Sequence, residues 1–127
     1  MKLNLASALN FEIHYRTKKT QTGYVVEAHD VLGHFDYMVG YLELRPDATT
    51  PTILCVADVE VDRHYRKNGI GEGLYQHAIN LTKQYGYEAF SQGSPVSARA
   101  ERIWTNHLAK HYQIQKLDNG RLGIVLN

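Results

Sequence analysis

Cysteine and long apolar runs are both scarce in this 127-residue chain. The single cysteine, Cys55, excludes an intramolecular disulfide and is typical of a reducing compartment. No stretch approaches the roughly 18 apolar residues that a membrane span requires. The first ten residues contain one lysine and a short apolar stretch interrupted by asparagine, unlike a secretory signal. We therefore expect a cytoplasmic protein.

Neither an excess of charge nor a complete set of metal ligands is evident in the sequence. Fourteen Lys and Arg oppose 13 Asp and Glu, so the formal net charge is +1. This balance predicts no general attraction to nucleic acid or membranes. Seven histidines are scattered; only His107 and His111 have His-x3-His spacing, and no Cys-x2-Cys pair or further ligand pattern accompanies them, so we expect no metal site. With 43% hydrophobic and 21% charged residues, we expect one globular domain over residues 1–127.

The first half of the chain has the pattern of β-strands. Apolar and polar residues alternate over residues 10–16, and β-prone segments follow at residues 24–29, 37–44 and 52–61. The intervening segments are polar or contain glycine or proline, which predicts turns or loops at residues 17–23, 33–36 and 45–51.

The pattern then changes to a helical period. From Ile70, apolar residues recur along one helical face, at Leu74, Ala78, Leu81 and Tyr85. Gly86 is placed to end this helix, and residues 87–90 form a short β-prone segment.

A second helix is predicted after this segment, with Ser94 as its cap and Pro95 in its first turn. Its apolar stripe is Ala100, Ile103, Trp104 and Leu108. Residues 112–116 and 122–126 then predict a hairpin. The order β-β-β-β-α-β-α-β-β indicates an α/β (α+β) fold, with a mixed, mostly antiparallel sheet and two main helices.

A glycine-rich turn, Arg66-Lys67-Asn68-Gly69-Ile70-Gly71, connects the fourth strand to the first helix. Such a turn allows backbone N–H groups to converge on an anion at a helix start. A Walker A loop is excluded because no Gly-Lys-Ser/Thr follows, and a dinucleotide fingerprint would need glycine where Leu74 stands. Asn68-Gly69 is also a hairpin dipeptide, but the helical period after it disfavours a hairpin.

The run from the fourth strand matches the pattern V-x-x-x-Y-R-x-x-G-x-G and resembles the signature of the GNAT superfamily of N-acetyltransferases. The matching residues are Val61, Tyr65, Arg66, Gly69, Ile70 and Gly71. The resemblance implies acetyl-CoA or CoA as co-substrate, with its pyrophosphate on the turn and its pantetheine along the fourth strand. The implied contacts are Val59, Glu60, Val61, Arg66, Lys67, Asn68, Gly69, Ile70, Gly71 and Glu72.

The resemblance is incomplete on the acceptor side. Family members usually carry two helices between their first and second strands, where this chain has only residues 17–23. Those helices help to wall the acceptor site. Their absence implies an open acceptor side, or one that a partner subunit completes, as in a homodimer.

The family transfers its acetyl group by direct attack of a free amine on the thioester, so a base is expected near the fourth strand. Glu60 is the first candidate and Asp58 the second; both would share a strand face with Asp62 if no bulge intervenes, and Glu43 on the neighbouring strand could join them. An acidic face suits a cationic acceptor. An ordinary solvated strand face is the alternative interpretation.

The expected catalytic acid is missing. The family pattern Asn-x-x-Ala-x-x-x-Tyr, aligned on Ala100, places Ser97 at the asparagine and Trp104 at the tyrosine that protonates the thiolate. Indole cannot act as this acid, so Trp104 is better interpreted as a core or pocket-wall aromatic. Ser97, His107, Tyr112 or water could substitute, and Ser97 serves equally well as a helix cap. Cys55 lies in an apolar strand run where a thiol is usually inert.

Three hypotheses follow. The first is an N-acetyltransferase that acts on a primary amine of a small molecule, a protein or an aminoacyl-tRNA. The second is a protein of this fold that binds CoA without catalysis, as a sensor or inhibitor. The third is a nucleic-acid module, which the balanced net charge disfavours; its cations would be Lys18, Lys19, Arg63, Arg66 and Lys67.

Overall fold

Seven strands form one sheet in the computed structural model, which describes residues 11–33 and 35–126. The strands are β1 (Ile13–Lys19), β2 (Tyr24–Asp30), β3 (Tyr37–Pro46), β4 (Ile53–Val61), β5 (Ala89–Ser91), β6 (Gln115–Lys116) and β7 (Leu122–Val125). Their order across the sheet is β1-β2-β3-β4-β5-β7-β6, and only β4 and β5 pair in parallel. The predicted mixed, mostly antiparallel sheet is confirmed. Residues 10 and 34, which the strand and turn predictions included, lie outside the described residues.

Two main helices accompany the sheet, as predicted. Helix α1 spans Ile70–Gln84, and the following Gly86 has the positive φ of 81° expected of a helix stop. Helix α2 has three consecutive segments: an α-helix at Ala98–Arg102, a π-helical segment at Ile103–Leu108 and an α-helical end at Ala109–His111. A 3-10 turn, Arg63–Tyr65, lies between β4 and α1.

The loop predicted between the first two strands, residues 17–23, is longer than the turn in the structure. Thr17, Lys18 and Lys19 continue β1, where they pair with Val26, Val25 and Tyr24. The turn is reduced to residues 20–23, closed by a 2.8 Å bond from Thr20 N to Gly23 O. The three polar residues are exposed. The pattern of apolar residues therefore could not reveal this part of the strand. The prediction of a short connection without helices between β1 and β2 is confirmed.

The predicted start of the second helix is also wrong. Ser94 and Pro95 lie in the exposed loop before α2, and the cap is Ser97, whose Oγ accepts a 3.1 Å bond from Ala100 N. A cap is defined by a side chain that reaches an unpaired N–H of the first turn. Two serines three residues apart offer the same local signal, and only the actual chain path selects one.

Both helices pack on the same face of the sheet in the described part of the chain. Leu74 and Ala78 of α1 join the core over β2, β3 and β4. Trp104 of α2 is 2% exposed and stacks on Phe90 at 5.5 Å. The predicted stripe of α1 is buried except for Tyr85, which is exposed.

The opposite face of β1 and β2 carries charged side chains that pair with one another. Lys18 Nζ lies 3.1 Å from Glu27, and the ring of His29 lies between Glu27 at 2.9 Å and Asp36 at 2.6 Å. Arg16 is 2.9 Å from Asp36 and, together with His29, lowers the pKa of that carboxyl. An antiparallel sheet can leave one face in water, and these pairs suit such a face.

None of the helices in the described residues is long and apolar enough to cross a membrane.

Candidate active site

A cavity of about 500 Å³ opens where β4, the turn before α1 and the first half of α2 meet. Its volume is typical of a small-molecule site. The lining residues from the turn and strand are Val59, Glu60, Val61, Tyr65, Arg66, Lys67, Gly69, Ile70, Gly71 and Glu72, and those from α2 and its cap are Ser97, Arg99, Ala100, Arg102, Ile103, Asn106 and His107. Nine of the ten predicted CoA contacts therefore line one cavity; Asn68 does not.

The turn that enters α1 is fixed by short-range hydrogen bonds. Asp62 accepts a 2.9 Å bond from His64 N and caps the 3-10 turn. The Asn68 amide donates to the carbonyls of Tyr65 and Arg66 at 3.1 and 2.9 Å. The Asn68 side chain thus stabilises the conformation of the loop and does not line the cavity.

Backbone donors accumulate at this turn. Lys67 and Gly69 have positive φ angles of 66° and 79°, and α1 starts without a side-chain cap. In the described ranges, none of the backbone N–H groups of residues 67–72 donates a hydrogen bond to the protein. Unpaired N–H groups at a helix start, together with the helix dipole, form a site for an anion.

The glycines of the turn serve different purposes. Gly69 supplies the left-handed conformation. A Cβ at Gly71 would lie 3.0 Å from Ile103 Cδ1, so a side chain at this position would press on the end of Ile103 and extend into the cavity. A Cβ at Gly73 would overlap the Tyr15 hydroxyl. Gly73 is therefore required by the packing of β1 on α1 rather than by a phosphate.

Beside the cavity, β4 and β5 separate from one another. They pair only through Ile53–Ala89, Leu54–Phe90 and Cys55–Ser91. Beyond these pairs, the edge of β4 at residues 59–61 borders the cavity while its other edge stays paired with β3. An extended chain could bind there as an added strand.

Four cationic side chains line the cavity. Arg66 is partly committed to the fold, since its Nε donates a 3.1 Å bond to Val61 O, whereas Lys67 is exposed. Sequence reasoning missed Arg99 and Arg102 of α2. Their separation of three residues was the only local signal, and exposed arginines on helices commonly have that spacing.

Glu72 places a carboxylate at the anion site, near the first turn of α1. A Cβ built at Gly69 would lie 3.9 Å from Glu72 Oε2, so this carboxylate turns back toward the start of its own helix. A carboxylate in the first turn is favoured by the helix dipole. Burial and the Glu72 charge together raise the pKa of the Tyr15 hydroxyl. Glu72 therefore lines the cavity, and its charge would oppose a phosphate bound there.

The two candidate bases lie on the sheet face opposite the helices. The β3–β4 register shifts between Glu43 and Leu44, which leaves an extra residue, Ala57, in β4. The bulge precedes Asp58, so Asp58 and Glu60 still share a face, opposite Glu43 and Tyr41 respectively.

Asp62 does not join this pair. Its carboxylate is held by His64 N and by the Tyr37 hydroxyl, at 2.9 and 3.1 Å. Backbone bonding to His64 and the hydrogen bond from Tyr37 lower the pKa of Asp62.

The candidates for the acid lie in different environments. Trp104 is buried against Tyr75 and Phe90, which confirms its interpretation as a core aromatic. Ser97 borders the cavity but its hydroxyl caps α2. His107 is half-buried and borders the cavity, together with a second cavity of about 480 Å³ between α1 and α2. Tyr112 lines only the second cavity and exchanges hydrogen bonds with Gln76.

Cys55 belongs to a separate polar cluster on the other side of the sheet. Its Sγ donates to Asp47 Oδ1 at 3.4 Å, and Asn119 donates to Ser91 at 3.0 Å. Burial raises the pKa of the Cys55 thiol. The environment is that of an inert, structural thiol.

The fold and the cavity define a mixed α/β domain with a small-molecule-sized cleft at the start of α1. A family model described as the acetyltransferase (GNAT) family matches residues 5–106, most of the chain. The chain therefore belongs to the GNAT family of acetyltransferases. A comparison with curated proteins finds no match.

Solved structures share this fold. An IAA acetyltransferase from Bacillus cereus is 22% identical, with 84% of this chain and 79% of that chain covered and a TM-score of 0.59. Diaminobutyrate acetyltransferase from Paenibacillus lautus, solved with L-2,4-diaminobutyric acid and coenzyme A, is 15% identical, with 91% and 95% covered and a TM-score of 0.64. A GNAT family N-acetyltransferase from Escherichia coli, solved with CoA, is 15% identical, with 93% and 83% covered and a TM-score of 0.63.

Proposed function

We propose that this protein transfers the acetyl group of acetyl-CoA to a primary amine, by direct attack within a ternary complex. The observation that carries the proposal is the set of unpaired N–H groups at residues 67–72, which open into the cavity between β4 and α2. Membership of the GNAT family supports acetyl transfer. The Paenibacillus lautus and Escherichia coli relatives, both solved with CoA, support the choice of co-substrate.

Each part of acetyl-CoA has a counterpart in the cavity. The pyrophosphate takes the N–H groups of residues 67–72, with Lys67 and Arg66 at the rim. The pantetheine arm lies along the edge of β4 that no strand covers, at Val59, Glu60 and Val61, and forms amide hydrogen bonds there as an added strand would, except at Val61 O, which already accepts from Arg66. The thioester then lies toward the point where β4 and β5 separate.

The acceptor approaches from the face that carries Asp58 and Glu60. An amine is mostly protonated at neutral pH, so it must lose a proton before its lone pair attacks the carbonyl carbon. Glu60 accepts that proton, directly or through water, with Asp58 as the second candidate. The C–S bond then breaks and the thiolate takes a proton, for which His107 is the candidate donor that borders the cavity.

A second function has one specific observation in its favour. The position that the family fills with an acidic tyrosine holds Trp104, which is buried and whose indole N–H is too weak an acid to protonate a thiolate. A CoA-binding protein without catalysis, acting as a sensor or inhibitor, would retain the anion site and lose this acid.

Calorimetric titration with acetyl-CoA and with CoA tests the binding step. Gly71→Glu places a carboxylate in the cavity and should abolish binding of both ligands. Gln113→Glu adds the same charge at an exposed position outside the cavity and should leave both affinities unchanged. Circular dichroism and thermal melting verify that both variants are folded. If Gly71→Glu binds CoA as tightly as the parent protein, the turn is not the phosphate site.

Release of free thiol from acetyl-CoA separates the two functions. The acceptor panel contains small diamines, peptides with a free N-terminus, peptides with internal lysine, and aminoacyl-tRNA. Turnover with one class supports the acetyltransferase and identifies its acceptor class. Tight CoA binding without thiol release from any acceptor supports the non-catalytic function.

A further inference from the structure

Two arginines of α2 line the cavity that also contains the anion site. Arg99 and Arg102 are separated by three residues, so they lie on the same side of the first helical segment. They belong to α2, whereas the other side of the same lining comes from the turn before α1.

Neither guanidinium has an ion-pair partner among the described residues. Within residues 11–33 and 35–126, Arg16 and Arg45 form ion pairs with carboxylates, whereas Arg99 and Arg102 form none. Glu101 lies between them in sequence and Glu72 borders the same cavity, but neither comes within ion-pair distance of these arginines. Two guanidinium groups beside a cavity without a carboxylate partner are suited to bind an anionic ligand.

The pyrophosphate does not require these arginines. The unpaired N–H groups of residues 67–72, the α1 dipole and the side chains of Arg66 and Lys67 already supply its donors and positive charge. CoA carries a third phosphate, a monoester on the ribose 3′ oxygen. A phosphomonoester has a charge of about −1.5 to −2 at neutral pH and three acceptor oxygens, which match two planar guanidinium donors.

We propose that Arg99 and Arg102 bind the 3′-phosphomonoester of CoA and make the site selective for CoA over 3′-dephospho-CoA. This inference rests on the proposed acetyl-CoA site and assigns a second phosphate subsite within it. The selectivity comes from α2, while the pyrophosphate contact comes from the turn before α1. The two contacts can therefore be removed separately.

Calorimetric titration with CoA and with 3′-dephospho-CoA tests the assignment. The parent protein should bind CoA about tenfold or more tightly than 3′-dephospho-CoA, as expected for charge-assisted hydrogen bonds. Arg99→Gln/Arg102→Gln should bind the two ligands equally, with its affinity for 3′-dephospho-CoA unchanged within about twofold. Both arginines are exposed, so the variant should remain folded, as thermal melting will verify.

Two further variants serve as controls. Lys110→Gln/Lys116→Gln removes two charges from exposed positions outside the cavity and should keep the full preference for CoA. Arg99→Lys/Arg102→Lys keeps both charges but loses the forked donors, so it should show an intermediate preference.

Equal binding of the two ligands by the parent protein would overturn the assignment. So would an equal loss of affinity for both ligands in the glutamine variant, because the arginines would then serve the pyrophosphate. Failure of the proposed function has a different signature: the parent protein would bind neither ligand, or Gly71→Glu would leave binding of both unchanged.

Discussion

The Tyr41 hydroxyl donates a 2.8 Å hydrogen bond to Asp58 Oδ2. This bond, together with burial and the charges of Asp58, Glu60 and Glu43, raises the pKa of Tyr41 to about 12. Tyr41 therefore stays protonated, and its hydroxyl remains hydrogen-bonded to one carboxylate oxygen of Asp58. Glu60 lies opposite Tyr41 in the sheet and makes no side-chain hydrogen bond in the described ranges. The two carboxylates are thus unequal, although both belong to the same strand face.

This difference predicts which carboxylate is the base. Glu60→Gln should lower kcat about a hundredfold, the lower end of the usual contribution of a general base, and leave the CoA dissociation constant unchanged. Asp58→Asn should lower kcat less than about tenfold because Asp58 is held by Tyr41. Steady-state kinetics with the acceptor found by thiol release measures both. A larger loss in Asp58→Asn than in Glu60→Gln would reverse the assignment.

Removal of the Glu72 charge is predicted to increase the affinity for CoA. Its carboxylate turns toward Gly69, where the pyrophosphate is proposed to bind. Two unit charges about 4 Å apart repel by roughly 1 kcal/mol in water and by more near a protein surface. Glu72→Gln should therefore tighten CoA binding by about fivefold.

Glu88→Gln is the matched control, since Glu88 is exposed and remote from the cavity. Calorimetry at two salt concentrations should show that the gain shrinks as salt screens the repulsion. Weaker binding in Glu72→Gln would instead make Glu72 a direct contact of the ligand.

Trp104 should matter for stability rather than for proton transfer. It packs between Phe90 and Tyr75, so Trp104→Ala should lower the free energy of unfolding by about 3–5 kcal/mol. Thr105→Ala, at the exposed neighbouring position, should cost less than about 1 kcal/mol. Urea denaturation measures both.

Trp104→Tyr recreates the family's tyrosine at this position and should not raise kcat, because residue 104 faces the core and does not line the cavity. A marked increase in kcat in this variant would show that the side chain reaches the thiol after all.

Asp47 predicts a loss of stability in acid. Its carboxylate accepts bonds from Thr49 Oγ1 at 2.8 Å, from the backbone N–H groups of Thr49 and Thr50, and from Asn119 at 3.3 Å. These bonds, led by that from the Thr49 hydroxyl, hold the Asp47 pKa well below its ordinary value of 3.8. A lowered pKa means that the ionised form stabilises the fold above the ordinary pKa. This contribution is lost as the pH falls below it.

The difference between the parent protein and Asp47→Asn isolates this contribution. At pH 7 the variant should be less stable by roughly 1–2 kcal/mol, and the gap should close as the pH falls from about 4 toward 2. Asp118→Asn, in the neighbouring exposed turn, should change neither the stability at pH 7 nor its dependence on pH appreciably. Urea titrations at a series of pH values measure the free energy of unfolding of each protein as a function of pH. A gap that stays constant down to pH 2 would contradict the role of the Asp47 charge.

Local sequence signals were sufficient to locate the strand, turn and helix of the proposed donor site. The change from a period of two to a helical period at Ile70 located α1, and Gly69 and Gly71 marked the turn before it. These features depend on neighbours a few residues away, such as an N–H without a partner or a backbone that needs positive φ. For the same reason, nine of the ten expected CoA contacts line one cavity.

The other assignments depended on contacts between distant segments. Residues 17–19 extend β1 because β2 pairs with them, and Ser97 rather than Ser94 caps α2 because of the chain path. Arg99 and Arg102 became cavity residues only when α2 packed beside α1.

By itself, the sequence determined that this protein has a strand, a glycine turn and a helix start that together can hold an anion, within a mixed sheet of the GNAT type. The tertiary structure alone decided what surrounds that turn: two free arginines, a carboxylate turned toward the anion site, and a core tryptophan where the family has its acid. The physical reason is the distance along the chain between the residues that interact. A turn is specified by the conformational preferences of adjacent residues, whereas the wall opposite it is formed by a segment about thirty residues away, whose position depends on packing.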